Sequence, residues 1–241
     1  MNSYMNIQIF IVFHKNIFDD CYKHIPDDIL YNNFTFIAVN PKISKQYTPD
    51  KYKVINEWEL PVYDSTFQER GYNENSAIYH VYANKLHSNY DYIGFFQYDM
   101  IFHDNIIEYV NDNTKNGPVY FPYSTHDFSF CSFETWNEPY TLQFIINDYM
   151  QHFKVLFYTD KKYPLFNSYI IPRETYEKIM EWIVQLYDKL YPECVQFPNR
   201  THFGHIAGIY ERIMAYAIGQ YNLPVAHVNI THDEELKKVS Y

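Results

Sequence analysis

The sequence predicts an α/β fold, a mainly parallel sheet flanked by helices in a single domain of 241 residues. Apolar runs of strand length alternate along the chain with segments whose apolar residues recur at helical spacing, as in parallel sheets. One run, DYIGFFQYDMIF at 91–102, is apolar without alternation up to Phe96, which is typical of a central strand covered on both faces. A hydrophobic content of 47% provides ample material for a core.

The remaining elements are predicted in chain order from the same patterns. We expect strands at 7–13, 34–39, 54–55, 119–123, 163–172 and 223–232. We expect helices at 17–24, from caps at Asn75 and Ser76 to Leu86, at 105–110, at 139–153, at 173–190 and from His205 onward. The segments 57–73 and 124–138 show little periodicity and are predicted to be loops.

Composition excludes several classes of partner. The net charge is −10 and the 19 basic residues form no run, which argues against a nucleic-acid groove or an anionic membrane surface. The negative charge of a phosphate-bearing ligand must therefore be neutralised by groups within its binding site. Three widely spaced cysteines match no zinc site and suit a reducing compartment. We find no apolar stretch of the roughly 18 residues that span a bilayer, and no signal peptide, so a cytoplasmic protein is expected.

The central strand ends in the polar triplet Gln97-Tyr98-Asp99. Ligands of open α/β sheets bind at the carboxyl edge, so an acid there, two residues after Gln97, suits a divalent ion and a ribose hydroxyl. The alternative is that Asp99 caps a turn over 102–105.

Two cations are candidates for binding phosphate. Lys15 follows His14 at the predicted junction between the first strand and a helix, where a diphosphate commonly binds. Arg70 ends the loop at 57–73. A solvated loop position is the alternative for Lys15.

Polar residues inside later elements are further candidates. Asn167 and Ser168 interrupt an apolar strand, where polar groups usually bind a partner, whether ligand, backbone or water. Glu211 shares a helix face with small residues and can approach a ligand closely, or it simply pairs with an arginine, while Arg212 is expected to point elsewhere.

Four segments together resemble a known family. They are Glu74-Asn-Ser-Ala-Ile-Tyr79, Tyr92-Ile-Gly-Phe-Phe-Gln-Tyr98, Leu165-Phe-Asn-Ser-Tyr-Ile-Ile-Pro-Arg-Glu-Thr-Tyr176 with Trp182, and Gly204 to Arg212. Over roughly 5–230 the chain is similar to the glycosyltransferase-like group of capsular polysaccharide synthesis and to small glycosyltransferases of large DNA viruses.

The resemblance implies a GT-A fold, with a nucleotide-sugar-binding half at about 1–123 and an acceptor half at about 124–241. Such enzymes bind Mn or Mg through a D-x-D motif, and a late histidine often completes the site. Here Asp99 is the only acid of that motif. The metal site is therefore expected to be weak or absent, and His227 or His232 becomes a more important candidate ligand. The capsular group tends to have a basic pair where this chain has Asp99-Met100.

The implied reaction is transfer of a sugar from a nucleotide diphosphate sugar, in particular a UDP-sugar, to a hydroxyl of a glycan or glycoprotein. Mn is the expected ion. Expected donor contacts are His14, Lys15, Arg70, Gln97, Tyr98, Asn167, Ser168 and His205. An inverting enzyme needs a general base, for which Asp127 and Glu211 are the candidates, whereas a retaining enzyme needs neither.

Two other classes of protein stay open. The incomplete acid motif suits a sugar-nucleotide-binding protein without turnover. The aromatic loop at 124–138, which also contains His126 and Asp127, suits a carbohydrate-binding or structural protein.

Overall fold

The computed structural model describes residues 5–131, 139–164, 167–195 and 206–239. The strands are β1 (Ile7–Phe13), β2 (Phe34–Ala38), β3 (Val54–Asn56), β4 (Tyr92–Gln97), β5 (Met100–Phe102), β6 (Phe121–Pro122), β7 (Thr125–Asp127), β8 (Lys162–Pro164), β9 (Tyr169–Pro172) and β10 (Ile230–His232). The helices are α1 (Asp27–Asn33), α2 (Thr66–Glu69), α3 (Glu74–Ala83), α4 (Ile106–Asn113), α5 (Phe128–Cys131), α6 (Pro139–Phe153), α7 (Arg173–Val195), α8 (Ile206–Gln220) and α9 (Glu234–Val239). Short 3₁₀ helices cover Asp19–Tyr22 and Glu57–Glu59.

The central sheet confirms the predicted α/β class. Its six strands have the order β3-β2-β1-β4-β9-β6. The first four are parallel, while β9 runs antiparallel to both β4 and β6. Two small antiparallel sheets pair β10 with β5 and β7 with β8.

Both faces of β4 are buried, as the continuous apolar run predicts. Phe95 belongs to a core shared with α3, α7 and α8, whereas Phe96 belongs to a second core shared with β1 and β2. Successive side chains of a strand point to opposite faces, so each residue of β4 contributes to one layer only. The buried face of α7, which includes Tyr176, Ile179 and Ile183, lies in the first core.

Local elements differ from prediction in several places. A helix forms at α1 behind Pro26, with Asp27 and Asp28 in its first turn, whereas 17–24 forms only a 3₁₀ turn. The helix α3 begins at Glu74, so Asn75 and Ser76 lie inside it and do not cap it. Their side chains donate hydrogen bonds to Ala207 O and to Glu57, whereas a capping side chain would accept one from a backbone N–H of the first turn.

The predicted strands 163–172 and 223–232 are shorter or divided. The first becomes β8 and β9 around Asn167, whose φ of +47° is incompatible with a continuous strand. The second is regular only over β10, with one bridge between Val225 and Tyr120. The predicted loops contain α2, β7 and α5.

Gly94 permits the close packing of the central strands. A Cβ at this position would lie 2.9 Å from Ile170 Cγ1 and 3.2 Å from Ile9 Cγ1. Both neighbours are buried core residues, so they have little room to move.

We predict that Gly94→Ala lowers the free energy of unfolding by about 1–3 kcal/mol, the usual cost of overpacking. Urea denaturation measures the change. Unaltered stability would contradict this packing of β1, β4 and β9.

Candidate functional site

The parallel strands end together at one edge of the sheet. Val12 pairs with Gln97 and Phe13 pairs with Ala38, so the residues that follow β1, β2 and β4 meet there. This is the carboxyl edge, where ligands bind in open α/β folds. The contact between the rings of His14 and Tyr98, with centroids 5.6 Å apart, confirms that two of these strand ends are adjacent.

Asp99 lies in the turn that joins β4 to β5, and only 1% of its surface is exposed. Its Oδ2 is 3.1 Å from His232 Nε2, and its carbonyl accepts a hydrogen bond from Asp233 N at 3.0 Å. Asp99 does not cap the segment 102–105, since Phe102 belongs to β5. Within the described part of the chain, Asp99 Oδ1 is buried without a hydrogen-bond partner.

The register of β10 brings His232 to Asp99. His232 pairs with Met100 and Ile230 pairs with Phe102 in the antiparallel ladder with β5. Hydrogen bonds from Asn229 to Asp104 and between His103 and Thr231 fasten the same segment from the side.

His227 makes a different contact. Its Nε2 lies 3.2 Å from Thr125 Oγ1, and its carbonyl accepts a hydrogen bond from Tyr109. It lines a small cavity of about 50 Å³ beside Phe102. The structure therefore pairs His232, of the two late histidines, with Asp99.

The pair of Asp99 and His232 fits two adjacent ligands of a divalent ion. Neighbouring ligands of an octahedral ion with bonds of about 2.1 Å are about 3.0 Å apart, close to the observed 3.1 Å. The orphaned Asp99 Oδ1 adds a second oxygen at the same place. No cluster of three or more His, Cys, Asp or Glu suited to a metal occurs among the described residues. The other ligands would have to be water or oxygens of a bound phosphate.

Cys21 is buried close to Asp99, and its thiol is unreactive at neutral pH. Burial, followed by the charges of Asp99 and Asp233, raises the pKa of its thiol to about 12. The thiol is therefore protonated at neutral pH and is a poor metal ligand.

The two cations predicted to bind phosphate differ in surroundings. Lys15 follows β1 at the carboxyl edge, is half-buried, and makes no ion pair with any residue that the structure describes. Arg70 is exposed and lies over the ring of Tyr191, near the end of α7, at 4.1 Å from the ring centroid. Of these two cations, Lys15 is the one that follows a strand ending at the carboxyl edge.

Four polar side chains from β4, from the start of α3 and from the turn before β9 form a group that the sequence did not reveal as a unit. Gln97 Nε2 donates to Glu74 Oε1 at 3.4 Å, and Asn167 Nδ2 donates to Asn75 Oδ1 at 3.3 Å. Asn75 in turn donates to Ala207 O at the start of α8. The sequence predicts Asn75 as a helix cap and gives Glu74 no separate role, since the contacts of this group span up to 132 positions in sequence. We name these four residues the amide cluster.

Ser168, the neighbour of Asn167, is fully buried. Its carbonyl accepts a hydrogen bond from Tyr123 N at 2.9 Å. That bond uses the backbone carbonyl and therefore does not involve the Ser168 hydroxyl.

The candidate bases occupy contrasting positions. The Asp127 side chain is 68% exposed and pairs with Lys162. The Glu211 side chain is 12% exposed and pairs with Arg212, so the expectation that Arg212 points elsewhere was wrong. The long Arg212 side chain bends back and contacts its neighbour Glu211. The direction in which Cβ leaves the helix does not predict this contact.

His126 lies between these two carboxylates. Its Nε2 is 3.3 Å from Ser124 Oγ. Burial lowers the pKa of His126, and the nearby Arg212 charge lowers it further. The ring is therefore neutral at pH 7 and retains a lone pair. His205 lies outside the described residues.

Comparison with solved structures identifies a fold relative. The apo structure of the bifunctional glycosyltransferase WbbM matches with a TM-score of 0.57 and 15% sequence identity. The match covers 94% of this chain and 45% of that chain, so this chain spans less than half of WbbM. The chain therefore shares the fold of the matched part of WbbM. This agrees with the GT-A-like architecture expected from the sequence.

No family model and no curated protein matches the sequence. The expected grouping with capsular and viral enzymes therefore stays a prediction. Among the described residues, no helix has the length and apolar character needed to cross a membrane.

We predict that Asp99→Ala and His232→Ala are coupled by about 0.5–3 kcal/mol, because the buried carboxylate and the imidazole are in direct contact. The measurement is a double-mutant cycle in urea denaturation without added metal. The pair His103 and Thr231 provides an exposed control on the same ladder, where coupling should be smaller. Additive effects of Asp99→Ala and His232→Ala would contradict the contact.

Proposed function

We propose that this protein is a glycosyltransferase that moves a sugar from a UDP-sugar to a hydroxyl of a glycan or glycoprotein, assisted by Mn²⁺ or Mg²⁺. The observation that carries the proposal is the contact between Asp99 and His232 at the carboxyl edge of β4. The fold shared with WbbM supports the reaction class.

Charge explains why a cation belongs at this edge. The protein has a formal net charge of −10, and a nucleotide sugar brings two more phosphates. Lys15, which follows β1 at the carboxyl edge, would contact one of them. Asp99 and His232 would hold the divalent ion, which neutralises the negative charge that develops on the leaving diphosphate.

The rings at the end of β1 and β4 suit the nucleoside. His14 and Tyr98 meet edge to face, and Tyr98 also contacts Phe18. Tyr98 is only 4% exposed, so the half-buried rings of His14 and Phe18 are the surfaces that would stack on a base or pack against a ribose. We assign the uridine to this side of the edge.

Three side chains are available to deprotonate an acceptor hydroxyl. Asp127 is accessible to solvent, whereas both Glu211 and Arg212 are largely engaged with each other. His126 is neutral at pH 7 because burial lowers its pKa. We favour the more exposed Asp127, or the neutral His126, over the largely buried Glu211 if the reaction inverts the anomeric centre, since a general base must come within reach of the substrate.

We predict that a UDP-sugar and Mn²⁺ together stabilise the protein more than either does alone. Ligand at 100 times its dissociation constant adds about 2.7 kcal/mol to the free energy of unfolding. The measurement is a thermal-shift screen of UDP-sugars with Mn²⁺, with Mg²⁺ and with a chelator. Asp99→Asn should abolish the metal-dependent part of the shift while UDP alone still binds.

Absence of any shift with UDP or UDP-sugars would overturn the proposal. A shift that persists unchanged in the chelator would instead identify metal-independent binding. Metal-independent binding is a specific alternative here, because the described residues provide only two protein ligands for an ion.

We predict that Lys15→Met raises the dissociation constant for UDP about tenfold, because it removes a cation next to the diphosphate. Lys23→Met is the matched control, since Lys23 is exposed on the following segment. Isothermal titration calorimetry gives both constants. Equal effects of the two substitutions would place the diphosphate elsewhere.

A further inference from the structure

A small cavity lies between α4 and the segment that leads into β10, away from Asp99. The ladder of β5 and β10 pairs His232 with Met100 next to Asp99, and it pairs Ile230 with Phe102 two residues further on. Two residues span about 7 Å along a strand. The cavity lies at the Phe102 end of the ladder and shares no residue with the metal pair or with the amide cluster.

The cavity has an apolar floor and a polar rim. The floor is formed by buried side chains of the second core, among them Ile106, Val228 and Ile230. The rim is formed by the exposed side chains Asp104, Tyr109, His227 and Asn229. A concave, mostly apolar surface with a few polar groups at its mouth is typical of a ligand pocket.

The volume of the cavity limits what can enter it. A single water needs roughly 10–15 Å³, whereas an apolar cavity of about 150 Å³ holds a benzene ring. The volume of about 50 Å³ lies between these limits. It is too small for an aromatic or a sugar ring and large enough for a methyl or acetyl group. One apolar group of a ligand would therefore enter the floor while the rest stays at the rim.

The rim groups are held in place before any ligand binds. Asn229 Nδ2 donates a hydrogen bond to Asp104 Oδ2. The hydroxyl of Tyr109 donates to His227 O at 3.1 Å, and its ring packs edge-on against Phe121. The Oδ1 atoms of Asp104 and Asn229 accept no hydrogen bond from any residue that the structure describes. Two oxygens are therefore available beside an exposed aromatic ring.

An acetamido group on a sugar ring matches these parts. Its methyl group suits the apolar floor, its N–H suits the Asp104 carboxylate, and its carbonyl oxygen suits the second hydrogen of the Asn229 amide. The pyranose ring can pack on the face of Tyr109. Among the described residues that line the cavity, none is a lysine or an arginine. The Asp104 carboxylate would repel a phosphate or carboxylate ligand.

We propose that this cavity binds the acetamido group of an N-acetylhexosamine unit in the glycan acceptor. The acceptor role rests on the proposed function. His227 Nε2 lies 3.2 Å from Thr125 Oγ1, and Thr125 is two residues before Asp127, a candidate base. A glycan anchored in the cavity would therefore extend along β7 toward Asp127. The site also gives a role to His227, which the structure separates from Asp99.

The test uses titrations of free sugars, followed by NMR of the whole protein. N-acetylglucosamine is compared with glucose, and N-acetylgalactosamine with galactose. Each acetylated sugar should bind at least about tenfold more tightly than its partner, since a methylene-sized group in an apolar pocket discriminates by about 10–200-fold. UDP with Mn²⁺ should not compete with the acetylated sugars, because the cavity is separate from the carboxyl edge.

Two substitutions test the floor and the rim. Val228→Leu fills the cavity and should raise the dissociation constant for N-acetylglucosamine about tenfold or more, while the melting temperature does not fall, since filling a cavity is a common stabilising change. Asp104→Asn removes the charged acceptor at an exposed position and should raise the constant about tenfold. Glu108→Gln, an exposed first-turn glutamate of α4 outside the cavity, is the matched control and should change nothing.

The outcomes separate this inference from the proposed function. Equal affinity for N-acetylglucosamine and glucose, or affinity unaffected by both Val228→Leu and Asp104→Asn, would overturn the acetamido site while leaving the transferase proposal standing. Equally tight binding of N-acetylalanine methylamide would overturn it in favour of a peptide ligand. Failure to bind UDP or any UDP-sugar, with N-acetylglucosamine still bound in the cavity, would support the site and overturn the proposed function together with the acceptor role.

Discussion

The parallel register of β1, β2 and β4 is the constraint on which the rest of the structure depends. Because these strands end at the same height, residues far apart in sequence share one edge. The antiparallel strand β9 then extends the sheet from the opposite direction, and Asn167, which precedes it, donates a hydrogen bond to Asn75. The ladder between β5 and β10 adds His232 from the last part of the chain. The predicted division near residue 123 therefore does not separate the residues that meet at this edge.

The edge has two chemically different sides. One side contains Lys15, Asp99 and His232, which suit a diphosphate and a cation. The other side is the amide cluster, which offers carboxylate and amide groups for hydrogen bonding. Alternation along β4 produces this separation, since Gln97 and Tyr98 point to opposite faces of the sheet.

The sequence predicted features that depend on local pattern. The buried run of β4, the bounds of α6 and the amphipathic stripe of α7 follow from periodicity and from proline positions. Features set by distant partners were not predictable in the same way. The choice of His232 over His227 depends on the pairing register of β10, and the ion pair of Glu211 depends on the reach of a long side chain. Glu74 gave no signal of its own, because its contact with Gln97 exists only once α3 packs beside β4.

Crystals soaked with Mn²⁺ and UDP test the central claim most directly. Anomalous diffraction at the manganese edge locates the ion independently of any assumption about the protein. We predict a single peak in contact with Asp99 and His232, with the diphosphate bound to the ion and near Lys15. A well-occupied UDP at another place, with no peak between Asp99 and His232, would contradict this account.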